Sequence, residues 1–203
     1  MMTVCIYAMK VWKGLLDESS DGGVPAYSLA VKTSKEATGD GAEEMLREAT
    51  IMAQLNGHPN CVQIVGVCTA GPPILLLLAL CEHGTLLDVL SKRKEEAAAG
   101  TNKPFGQEVR NKMCLDTCSG MLHMIKHQFI HRDLAARNVL VDSAYVCKLA
   151  DFGLARGFIC AGGGNRQGGG SAGDGEEDYY RSKSGTFPVR WTASKNATPP
   201  ASS

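Results

Sequence analysis

The chain has 203 residues, 44% hydrophobic and 21% charged, and its 21 basic and 21 acidic side chains leave a formal net charge of zero. That length and apolar share suit one large packed domain or a small two-lobed one, and the charge balance leaves no basic footprint for nucleic acid. The longest apolar run, residues 74–80, falls far short of the roughly 18 residues of a membrane span, and the start lacks the charged and apolar regions of a signal peptide.

In chain order, Val11–Leu16 reads as a strand, residues 17–25 as a polar, glycine-containing turn, and Tyr27–Thr33 as a second strand, together a hairpin. Asp40 and Glu43 resemble a capping box. The helix they open runs through Met45, Glu48, Met52 and Leu55 and stops at Asn56-Gly57, ahead of Pro59. Glu48 lies three residues after Met45 and four before Met52, so it shares the inward apolar face. Glu43 and Glu44 fall in the first turn, where carboxylates favour the helix dipole and stay solvated. Residues 62–67 and 74–80 are two further strands. His83-Gly84 breaks the pattern before Leu86–Leu90, and the charged, small-residue stretch 91–106 reads as a surface loop.

Residues 107–126 read as a helix with Val109, Met113, Met121 and Ile125 in register. Of the eight cysteines, Cys5, Cys61, Cys68, Cys81, Cys147 and Cys160 are scattered among apolar segments, where reduced cysteine behaves as a small hydrophobe. Cys114 and Cys118, followed by His123 and His127, raise the thought of zinc, but the interval is too short for a zinc finger. Cys114, Cys118 and Leu122 at i, i+4 spacing are expected to pack in the core.

Beyond that helix stands His131-Arg132-Asp133-Leu134-Ala135-Ala136-Arg137-Asn138, then the apolar pair 139–141 and 146–150 around a turn, then Asp151-Phe152-Gly153. This frame offers one carboxylate to orient a hydroxyl, and an amide and a second carboxylate to hold magnesium against nucleotide phosphates, as phosphoryl transfer requires. His131 is expected to be structural. Residues 157–175 hold two Gly-Gly-Gly runs that cannot bury a core, and residues 194–203 read as an unstructured tail.

At these residues the chain resembles the protein kinase family, and within it the tyrosine kinases. Ala135 and Arg137 sit where that group places its small residue and its cation, and Pro188-Val189-Arg190-Trp191 is similar to the segment that supports an incoming aromatic side chain. The resemblance runs from about Val11 to Ala193. It implies an α+β, two-lobed protein-kinase-like fold: residues 1–82 a strand-rich N-lobe with one helix, residues 83–193 an incomplete helical C-lobe, and residues 194–203 a tail. It implies ATP and Mg2+ as cofactors and transfer of the γ-phosphoryl group to a protein tyrosine. Lys32, in Leu29-Ala30-Val31-Lys32, would contact the phosphates and pair with Glu48. Asp133 would orient the substrate hydroxyl and Arg137 neutralise developing charge. Asn138 and Asp151 would hold magnesium, and Arg132 would receive a phosphate. Val11 and Ala30 above the adenine, Leu140 below it, Cys81 through its backbone, and Leu78 as gate would form the base pocket. Tyr179 and Tyr180, after Glu176-Glu177-Asp178, resemble the autophosphorylation site of insulin-receptor-like kinases.

Three departures accompany the resemblance. The family's phosphate-loop glycines are replaced by Val4, Ile6 and Met9, whose Cβ atoms obstruct close backbone approach to phosphate. Ala193-Ser194-Lys195 stands where Ala-Pro-Glu is expected, and the helices that would complete the larger lobe do not follow. Exposed apolar surface on the helix 107–126 then predicts poor solubility or a partner that covers it. The glycine-rich insertion costs little, because loop-closure entropy grows slowly with length. The expected setting is cytoplasmic, with a receptor parent's anchor lying outside this chain. The competing readings are a non-catalytic, pseudokinase-like binding module and an incomplete gene product.

Overall fold

The computed structural model describes residues 3–7, 11–19, 25–33 and 40–157, the first strand and Asp40 by backbone alone. The fold is α+β. Strands β1 (Thr3–Tyr7), β2 (Val11–Leu16) and β3 (Tyr27–Thr33) precede helix α1 (Asp40–Leu55) and strands β4 (Ile64–Cys68) and β5 (Leu75–Ala79). They form one antiparallel sheet in the order β1-β2-β3-β5-β4. Val4 and Ile6 lie within β1, opposite Gly14 and Trp12, while Met9 lies outside the described residues, as do Cys5's side chain and Cys160.

Alternation along β3 buries Leu29 and Val31 on one face and leaves Ala30 and Lys32 for the other. Helix α1 packs on that second side with Met45, Ala49, Met52 and Leu55 buried against Leu76 and Leu78 of β5. Glu43 and Glu44 are exposed, and Glu48 is buried with the apolar stripe, as its spacing requires. The helix ends at Leu55, and Gly57 follows at φ +89°, a conformation that suits glycine at a helix terminus.

The second part comprises β6 (Gly84–Thr85), α2 (Leu86–Ala98), α3 (Gln107–Lys126), β7 (Phe129–Ile130), β8 (Val139–Val141), β9 (Cys147–Leu149) and β10 (Arg156–Gly157). Strands β6, β8 and β9 form one small sheet, and β7 pairs with β10. Val62, Leu76, Met113, Met124, Val139, Leu149 and the fully buried Phe152 belong to one continuous core shared by both parts.

Three expectations are corrected. Residues 91–98 are helical rather than loop, because Lys, Arg, Glu and Ala all favour helix and no breaker intervenes before Gly100. Thr85 caps that helix by accepting from the Asp88 N–H at 3.1 Å. The fourth strand begins at Ile64 rather than residue 62, since Cys61 and Val62 are drawn to β9 instead: Val62 N donates to the Leu149 carbonyl at 2.9 Å, and Cys61 forms a parallel bridge with Leu149. On α3 the buried line is Met113, Gly120 and Met124, leaving Cys114, Cys118, Leu122 and Ile125 exposed. Gly120 selects that face: a Cβ there would stand 2.5 Å from the Asn60 carbonyl oxygen, so glycine alone permits the approach. Among the described residues, no helix is long and apolar enough to cross a membrane.

Candidate active site

Lys32 reaches from β3 toward α1, and its ammonium donates to both oxygens of Glu48, at 2.7 and 2.8 Å, and to Asp151 Oδ1 at 3.0 Å. Three residues distant in sequence are thereby tied by one nitrogen. Burial pushes the Lys32 ammonium down, but the two carboxylates together outweigh it and hold it above its usual value. Glu48 is 6% exposed. Burial raises its carboxyl above the usual range, with Lys32 pulling the other way.

A single 3-10 turn over Ala136–Asn138 folds the octapeptide back on itself. It places residues four and five positions after Asp133 against that carboxylate. Arg137 donates to Asp133 Oδ1 at 2.5 Å, and Asn138 Nδ2 donates to Asp133 Oδ2 at 2.7 Å and to its carbonyl at 2.8 Å. Both carboxylate oxygens are thus held by charge-assisted or amide donors, which fixes their direction. Beneath them His131 is fully buried, its Nε2 3.0 Å from the Ala150 carbonyl. Burial holds the imidazole below its ordinary value, with that carbonyl pulling it back up. Its part is structural: it ties the octapeptide to the residue before Asp151.

Two side chains here sit on left-handed backbone, Arg132 at φ +67° and Asp151 at φ +60°. Aspartate tolerates that region better than arginine does. Strained backbone persists where surrounding contacts over-determine it, and it concentrates at functional sites. Asp151 is also the residue before a second 3-10 turn, Phe152–Leu154, which sinks Phe152 into the core and leaves the Asp151 side chain 55% exposed toward Lys32.

A cleft of about 1090 Å³ opens between the sheet and these turns. Val11, Ala30, Leu78, Cys81 and Leu140 line its apolar part, and Lys32, Glu48, Arg137, Asn138 and Asp151 its polar part. Asp133 is not among the lining residues; it is bonded to two of them, Arg137 and Asn138. Burial pushes the Cys81 thiol up to about 11, so at neutral pH it is an apolar wall rather than a nucleophile. Asp88 also lines the cleft, a residue that sequence reasoning overlooked. Its signal was the Thr85-x-x-Asp88 pairing, in which Thr85 Oγ1 also donates to Asp88 Oδ2 at 2.6 Å. Tyr179, Tyr180 and residues 188–191 lie outside the described residues, as do the glycine runs and the tail.

Among the described residues, no three His, Cys, Asp or Glu side chains converge to hold a metal ion alone. The Asn138 amide spends its nitrogen on Asp133, which leaves its oxygen for a cation. Asp151 spends one oxygen on Lys32. Two such oxygens suit a hard cation that takes its remaining ligands from water and phosphate.

A profile of the protein tyrosine and serine/threonine kinase family matches residues 8–198. Over 93% of its length the chain is 35% identical to tyrosine-protein kinase SRK3 of Spongilla lacustris, of which it covers 47%. It is 36% identical over 89% of its length to tyrosine-protein kinase Btk of Drosophila melanogaster, covering 18% of that protein. Ephrin type-A receptor 1 of Mus musculus is 37% identical over 82% of the chain, with 15% of the receptor covered. The chain therefore spans less than half the length of these relatives.

Proposed function

The chain belongs to the protein tyrosine and serine/threonine kinase family, on the side of its tyrosine kinases, and from that we propose that its cleft binds ATP with Mg2+ and directs the γ-phosphoryl group to a protein tyrosine. The observation that carries the reading is the Lys32 ammonium bonded at once to Glu48 and Asp151, opposite the Asp133–Arg137–Asn138 group. An ammonium pinned by two carboxylates is a fixed positive charge, ready to meet phosphate oxygens without reorganising.

In this reading the adenine lies between Val11 and Ala30 on one side and Leu140 on the other, with Leu78 gating the inner end and the Cys81 backbone meeting the purine edge. Asn138 and Asp151 hold magnesium, which supplies charge neutralisation at the phosphates. Asp133, aimed by Arg137 and Asn138, orients the tyrosine hydroxyl and accepts its proton. Arg137, already beside Asp133, offsets negative charge on the transferred group. Tyr179 and Tyr180 are proposed phosphorylation sites, with Arg132 the receiving cation. We place the boundary between the two lobes at residues 82 and 83, and the setting in the cytoplasm, where ATP and protein tyrosines meet.

Thermal unfolding with and without magnesium–ATP tests the binding half. At a hundredfold excess over the dissociation constant, a ligand stabilises by about 2.7 kcal/mol, a rise of several degrees that Lys32→Ala should erase relative to its own ligand-free midpoint. Phosphotyrosine formation on an exogenous peptide tests the transfer half. Asp133→Asn should abolish that signal, and its persistence would refute the assignment.

A further inference from the structure

Three histidines meet where α1 hands over to β4. The His58 ring stacks on His123 with centroids 4.3 Å apart and planes 18° from parallel, and His123 in turn lies 4.4 Å from His127 at 55°. His58 belongs to the segment just after α1, and His123 and His127 belong to the last turn and end of α3. The stack also carries hydrogen bonds. His123 Nε2 lies 3.3 Å from the carbonyl of Leu55, the last residue of α1, and His58 Nδ1 accepts from the Asn60 N–H at 3.2 Å.

The charged groups that bear on these rings are Lys126 on α3 and Lys148 on β9, and the rings themselves. Among the described residues, no carboxylate acts on His58 or His123 from the elements packed there, α1, its following segment, α3 or β9. Two neutral imidazoles stack favourably. Two imidazoliums at that separation, beside two lysines, repel. Protonating His58 Nδ1 also abolishes the acceptor that Asn60 uses.

We propose that the His58–His123–His127 stack is an acid-sensitive fastener between α1 and α3, closed at neutral pH and released in mild acid. Release frees the Leu55 end of the helix that carries Glu48, two turns away. Burial, then neighbouring positive charge, holds His58 and His123 below the ordinary histidine value. The unfolded chain therefore takes up protons first as pH falls. Stability from the stack is complete above the unfolded histidine pKa of about 6.5 and is lost as pH falls through the lower folded values.

The full chain tests this by thermal unfolding from pH 8 to pH 5. His123→Tyr keeps a ring to stack and a hydroxyl donor for the Leu55 carbonyl while removing the titrating charge. It should lose roughly 3–6 °C less than the parent over that interval, whereas an unchanged profile would overturn the proposal. His131, fully buried and likewise held below its ordinary value, contributes equally to both proteins and cancels. His127→Gln, at an exposed position, guards against misfolding of the first variant: proton NMR should show the His123 titration midpoint rising in it. A His123 midpoint indifferent to His127, together with a parallel unfolding profile, would leave the stack as ordinary packing. The readout is unfolding and ring titration, so it stands whether or not the kinase reading survives.

Discussion

At the scale of single residues, Lys32 is held by two carboxylates of different standing. Glu48 is buried and Asp151 is mostly exposed, so the two bonds will respond differently to substitution. Lys32→Met leaves Glu48 buried with the Phe152 backbone N–H but without its cation, and breaking a buried pair costs roughly 3–5 kcal/mol. The deficit should depend on pH. A carboxyl raised in the native state takes its proton there first, so the native state gains on the unfolded chain as pH falls. Urea unfolding of Lys32→Met at pH 7.5 and pH 5 should show the deficit shrinking at the lower pH, and a constant deficit would mean that Glu48 finds another partner. Glu48→Gln should reduce the nucleotide-dependent thermal shift without erasing it, because Asp151 still holds the ammonium. The positions of Lys32, Glu48, Asp133, Asn138 and Asp151 were legible in the sequence from motif order and helical spacing. That Lys32 touches Asp151 was not, since a contact across 119 residues leaves no local trace.

At the scale of elements, strands and helices announced themselves where alternation or helical periodicity was strong, as in β3 and α1. Two faults have one physical origin, which is that hydrophobicity reports burial and not conformation. Residues 91–98 are charged because they are exposed, yet they are helical because nothing in them disfavours helix. On α3 the apolar positions surround much of the helix, and the face was chosen by its smallest residue. Gly120→Ala tests that choice. Its Cβ would meet the Asn60 carbonyl at 2.5 Å and Leu149 at 2.9 Å, neither of which yields cheaply. The expected loss is about 1–3 kcal/mol, read as a fall in the urea midpoint, whereas a neutral substitution would show that α3 can slide.

At the scale of the molecule, α3 leaves Leu115 at 68%, Leu122 at 53% and Ile125 at 52% exposure. Apolar surface of this kind promotes association, and the sequence predicts it for this helix, with Ile125 in the expected apolar register and Leu115 outside it. Leu115→Lys together with Ile125→Glu should raise the soluble yield and lower the scattering of concentrated samples while moving the unfolding midpoint by less than about 1 kcal/mol, because exposed positions away from special features tolerate change. A large loss of stability would show that these side chains are covered. The attachment of residues 60–62 to β9 bears on motion. Asn60 donates to the Cys147 carbonyl at 3.0 Å, its own carbonyl accepts from Leu149 N at 2.9 Å, and Val62 closes the ladder. The sheet is therefore riveted to the second part at one side, while the chain itself crosses at Leu80–Glu82 on another. Two attachments define an axle, and a body on an axle keeps only rotation about it. Glu48, on the helix that leads into the rivet, should travel little as the cleft breathes, and Val11, out on β2, should travel most.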